Sequence, residues 1–107
     1  MRKSLRAFFS FACLGLFASF CYADLAEDIT RMETALPAQA RVAPAAPRKL
    51  LVFTLCKGFV HSSIPLGAKM LEKMGAKTGA YTATVSEDPN IFAPESIAQF
   101  DAVCMLS

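Results

Sequence analysis

Two hydrophobic rhythms alternate along the second half of this chain. "KLLVFTL" (49–55) is a near-continuous apolar run, the mark of a strand buried on both faces. Gly67, Ala68, Leu71 and Met74 then recur at helical spacing, and the two small residues allow close approach to a sheet. Ser62 or Ser63 can cap that helix and Pro65 suits its first turn. Gly75 is expected to stop it. "YTATVS" (81–86) alternates, with Tyr81, Ala83 and Val85 to one side and Thr82, Thr84 and Ser86 to the other. That pattern suits a half-exposed strand nearer an edge. "EDPN" breaks it, and Glu87 and Asp88 there read as a solvated turn. "APESIAQF" (93–100) is a helical turn or two, and "DAVCMLS" (101–107) is again continuously apolar, hence central.

Strands alternating with helices predict an α/β fold, a parallel sheet with right-handed crossovers. Two apolar strands and one half-polar strand fit the order 2-1-3 of flavodoxin-like sheets. A central strand at residues 101–107 calls for a further neighbour and a covering helix. The expectation is therefore that residues 48–107 are the amino-terminal part of a longer domain, a sheet truncated after its third strand.

The first half reads differently. Residues 24–36, "DLAEDITRMETAL", place Leu25, Ile29, Met32 and Leu36 at helical spacing and predict a short amphipathic helix. "PAQARVAPAAP" (37–47) is rich in Pro and Ala and reads as an extended linker. Before both stand Arg2, Lys3 and Arg6, an uncharged apolar run, and "CYA" ahead of Asp24. This is the layout of a secretory signal peptide over residues 1–23, cleaved after Ala23. The competing reading is an uncleaved membrane anchor, but an apolar run of about 16 residues falls short of the roughly 20 that span a bilayer. A lipid attachment at Cys21 would want a small residue before it, and Phe20 is large.

Export changes the charge and cysteine arguments. The whole chain carries +2, yet all 9 acids and only 8 of the 11 basic residues lie after residue 23, leaving −1. No basic surface is left for nucleic acid, and no membrane partner is expected once the signal is removed. Cys13 and Cys21 leave with the signal. Cys56 and Cys104 are expected as free, buried thiols on strands. With no CxxC and a single histidine, no metal site is expected. GxGxxG, GxxxxGK[ST] and GxSxG are all absent, so no cofactor or elbow nucleophile is expected either.

Candidate chemistry gathers in "LCKGFVHSS" (55–63), which leaves the first strand and enters a helix. In doubly wound sheets ligands bind beyond the carboxyl ends of the strands, and exposed helix N–H groups favour a polar oxygen or anion. Gly58 is expected to let the backbone turn tightly, Lys57 to supply charge, His61 to donate, accept or act as a base, and Ser62 to bond ligand hydroxyls or cap. Phe59 is expected to be a lid over the core rather than a stacking platform.

"KLLVFT", "KGFVHSSI", "TVSEDPNIF" and "FDAVCMLS" together make residues 48–107 resemble the start of the trehalose-utilisation (ThuA-like) family. The resemblance implies a class I glutamine-amidotransferase-like fold, a flavodoxin-like α/β sandwich, in an exported bacterial protein of carbohydrate use. It sets the family's histidine on His61 and its polar turn on Lys57, Gly58 and Ser62. The position of an amidotransferase-like nucleophile would follow Ser107, and neither Cys56 nor Cys104 matches it. The function expected on this basis is binding or processing of a small carbohydrate, with periplasmic or secreted localisation. A non-catalytic docking module and a non-functional truncated product are the alternatives.

Overall fold

The computed structural model describes residues 16–107, with side chains from residue 25. The basic start and most of the expected signal peptide lie outside the described residues. Helix α1 runs Leu16–Ala35. It begins ahead of the expected start at Asp24, because no glycine or proline interrupts the chain between Leu16 and Leu36. Among the described residues no helix is long and apolar enough to cross a membrane.

Strand β1 is Lys49–Phe53, β2 is Thr82–Ser86 and β3 is Ala102–Met105. They form one all-parallel sheet in the order β2-β1-β3, a flavodoxin-like arrangement. Val52 stands level with Val85 and Cys104, and Phe53 with Ser86 and Met105. β1 is the middle strand, and the apolar residues Leu51, Val52 and Phe53 in it are buried. Leu51 and Val52 are completely buried. Burying each such side chain contributes roughly 1.5–3 kcal/mol.

The two crossovers move in opposite directions across β1. Right-handed connections therefore place their helices on opposite faces. Helix α2, Ser63–Thr78, covers one face, where Ile64, Ala68 and Gly75 are buried. On the other face a 3-10 turn, Pro89–Phe92, and a short helix α3, Pro94–Ile97, bring Phe92 edge-on to Phe53 with ring centroids 4.8 Å apart.

Helix α2 does not stop at Gly75. It runs on to Thr78 and ends at Gly79, which adopts the left-handed conformation (φ 68°) and donates its N–H to the Gly75 carbonyl at 2.9 Å. Gly75 has a packing role instead. A Cβ there would sit 2.5 Å from the Tyr81 carbonyl oxygen and 2.7 Å from its ring. The Tyr81 hydroxyl donates to the Leu71 carbonyl of α2 at 3.0 Å. Burial, reinforced by the neighbouring Cys104 thiol, raises its pKa above the usual 10.0.

At the amino ends of the strands Asp101 ties β3 to β1. Its carboxylate accepts from the Lys49 backbone N–H (2.8 Å) and from the Arg48 guanidinium (3.0 Å), while its own N–H donates to the Lys49 carbonyl (2.9 Å). First the backbone hydrogen bond and then Arg48 hold its pKa below the usual 3.8.

Three expectations are corrected here. Strand β3 is no central strand among the described residues. It pairs only with β1, and Val103 and Met105 are 41% and 61% exposed. Its apolar pattern stated a demand for burial, not the presence of a neighbour. Cys104 is free and half-buried on β3, as is Cys56, but Cys56 lies beyond β1 rather than on it. Phe59 is 79% exposed and covers no core.

Two outcomes follow. Gly75→Ala forces α2 away from Tyr81 and should destabilise the fold by about 1–3 kcal/mol, the usual cost of overpacking, read from urea midpoints by circular dichroism. A midpoint equal to wild type would show that α2 is not held at that distance. The Asp101 contribution belongs to its ionised form. With a folded pKa below 3.8, it is complete above that value and lost as pH falls through the folded pKa. The wild-type melting temperature should exceed that of Asp101→Asn by a constant margin near neutrality, and the margin should close in acid.

Candidate functional site

The end of the central strand sets the place of the expected site. The Thr54 N–H donates to the Ser86 carbonyl (3.0 Å) and the Leu106 N–H to the Phe53 carbonyl (2.9 Å). The carboxyl ends of all three strands are thereby gathered side by side. Thr54 is still buried, whereas Leu55 and Cys56 are half-buried and Lys57 to Ser63 are exposed. The apolar run ends, and with it the free energy of burial that would hold the chain in the sheet.

The turn has its own local supports. The Cys56 thiol donates to the Phe59 carbonyl at 3.3 Å. The Phe59 and His61 rings meet edge to face with centroids 4.9 Å apart and planes at 81°. The Ile64 N–H donates to the His61 carbonyl at 3.1 Å, which starts α2. Ser62 occupies the N-cap position but is already helical (φ −63°, ψ −19°), and its hydroxyl makes no cap hydrogen bond. A cap oxygen must reach back from an extended residue, and helical backbone at Ser62 directs it elsewhere. The first turn of α2 carries no acidic side chain, so its positive end is not neutralised from within.

The structure therefore brings the four expected residues together on one exposed turn. Among the described residues Lys57 makes no ion pair, and His61 has no side-chain hydrogen bond. The reason given for Gly58 is corrected. It has no positive φ, and a Cβ there would meet nothing within 4 Å. Neither turn geometry nor packing demands a glycine at that position.

The acids at the end of β2 behave as a turn. Asp88 accepts from the Asn90 N–H (2.9 Å) and the Asn90 amide (2.8 Å), and its own N–H donates to the Ser86 hydroxyl (3.1 Å). Asp88 thus caps the 3-10 turn, and exposed Glu87 stands beside it. Among the described residues no group of three His, Cys, Asp or Glu side chains gathers that would hold a metal ion.

A second feature escaped the sequence pattern. A groove of about 460 Å3 opens between α1 and α2, lined by Glu33, Leu36, Lys73, Ala76 and Lys77. Its charges are spent on holding the helices together. Lys73 pairs with Glu33, and the Lys77 ammonium donates to the carbonyls of Glu33 and Leu36, both at 3.0 Å. A cation at the last carbonyls of α1 also meets the negative end of its dipole. No local signal in "KMGAKTG" announces this, because the partner carbonyls lie some forty residues away.

Compared with family models, with curated proteins and with solved structures, the chain has no match.

The groove contacts give a direct outcome. Lys77→Ala should cost about 0.3–1 kcal/mol of α1 docking, seen as faster amide hydrogen exchange across residues 25–36 with the sheet amides unchanged. Equal exchange in both proteins would show that Lys77 does not anchor α1.

Proposed function

We propose that this domain binds a small, neutral carbohydrate of the trehalose type at the carboxyl edge of its sheet, as an exported protein of carbohydrate use. The observation that carries the reading is the turn after β1. It projects Lys57, His61 and Ser62 into solvent at the one edge of a parallel sheet where ligands usually bind. The likeness of residues 48–107 to the trehalose-utilisation family supports the same place and the same residues.

Each group has a task that its setting allows. Lys57 offers up to three donors on a flexible stem. His61 offers one donor and one acceptor when neutral, which suits a hydroxyl that both gives and takes a hydrogen bond. Ser62 keeps its hydroxyl available because it does not cap α2. In the first turn of α2 Pro65 has no N–H and the Ile64 N–H is taken by the His61 carbonyl, which leaves the Ser63 N–H as a backbone donor for a sugar oxygen. These groups supply binding, and no reaction is assigned to them.

His61→Ala in the full chain should weaken trehalose binding at least tenfold by isothermal titration calorimetry, a loss of about 1.4 kcal/mol. Its melting temperature should stay that of wild type, because His61 is exposed. Unchanged affinity would remove His61 from the site. Absence of binding by the wild type to trehalose, maltose and glucose would overturn the carbohydrate reading.

A further inference from the structure

Phe59 is the feature the proposed site has not yet used. It is 79% exposed, and Val60 beside it is 61% exposed. Large apolar side chains adjacent at the tip of a turn lose the burial that would repay them. Nor is this a loose tip. The Cys56 thiol pins the Phe59 carbonyl at 3.3 Å, and His61 meets the Phe59 ring edge to face at 4.9 Å. In such a pair His61 covers at most one face of the Phe59 ring. The rest of the ring is exposed to solvent.

We propose that Phe59 is a stacking platform that takes the apolar C–H face of a pyranose ring, while Lys57 and His61 bond the hydroxyls at its rim. This rests on the carbohydrate reading above and names the part of the ligand that the turn recognises. An aromatic face carries negative charge density and attracts the weakly positive C–H hydrogens of a sugar. A pyranose is apolar across its face and polar around its edge, and the turn offers both kinds of group within a few residues. Phe59 is flanked by Lys57 and Gly58 before it and by His61, Ser62 and Ser63 beyond Val60. A protein partner fits less well. A stable protein interface buries about 800 Å2 on each side, far more than two side chains at a loop tip offer.

The test uses the full chain, trehalose as the probe, and Phe59→Ala, Phe59→Leu and Phe59→Trp. Phe59→Ala and Phe59→Leu should each lose at least tenfold in affinity, and Phe59→Trp should equal or exceed wild type. In proton NMR the pyranose C–H signals should move upfield with wild type and with Phe59→Trp, but not with Phe59→Leu. Retained affinity in Phe59→Leu would mean plain apolar contact and would overturn the platform. If all three variants bind as wild type does, the platform falls while the carbohydrate reading stands. If wild type binds no sugar, both fall. Melting temperatures of the variants equal to wild type confirm that the ring acts on the ligand and not on the fold.

Discussion

Everything in this structure hangs on β1 being paired along both of its edges. A five-residue strand between two parallel neighbours has its ladder satisfied on either side, and so its side chains can be sealed on both faces. Among the described residues Leu51 and Val52 are the largest side chains wholly shielded from water. The same pairing brings three strand ends together, through Thr54 to Ser86 and Leu106 to Phe53. The exposed turn that follows β1 is therefore a consequence of the core. The chain must leave at the middle of the sheet edge, because that is where its most buried strand ends.

The placement of α2 translates that constraint into a direction. Gly75 lets the helix sit against Tyr81, the Tyr81 hydroxyl fastens it at the Leu71 carbonyl, and Gly67 meets the Leu106 side chain, where a Cβ would lie 3.2 Å from it. A helix held at both ends has a defined axis, and its amino end lies next to the turn that carries Lys57 and His61. Local and tertiary forces agree at Gly79, where the left-handed residue both ends the helix and closes its last turn. On its outer side α2 holds α1 through Lys73 and Lys77. The segment ahead of the sheet is thus attached to the domain by charge and helix-end carbonyls.

The turn itself is a case of polar and aromatic groups left without structural employment. Ser62 stands at a cap position and does not cap. Phe59 and Val60 are apolar and unburied. Asp88, two residues past β2 on the same edge, shows the contrast, since its Oδ1 accepts two hydrogen bonds that build its own turn. Groups whose exposure the fold does not require are where a ligand is best sought.

The order of elements and the sheet order were readable in the chain, because burial on both faces writes itself as an unbroken apolar run and one-sided burial as alternation. "KLLVF" carries the first signature, whereas the alternation of "YTATVS" holds only as far as Thr84, since Val85 is exposed and Ser86 half-buried. The position of Lys57, Gly58, His61 and Ser62 at the carboxyl edge followed from the same order, since a parallel sheet has only one such edge. The tertiary structure decided the rest, wherever the answer depended on a partner distant in sequence. Gly75 reads locally as a helix stop, and only the nearness of Tyr81 makes it a contact point within a longer helix. "DAVCMLS" reads as central, and only the pairing shows Val103 and Met105 exposed on a strand beside β1 alone. Phe59 reads as a lid because phenylalanine is usually buried. That it faces water depends on where β1 ends and where α2 begins, and those are set by packing across the sheet.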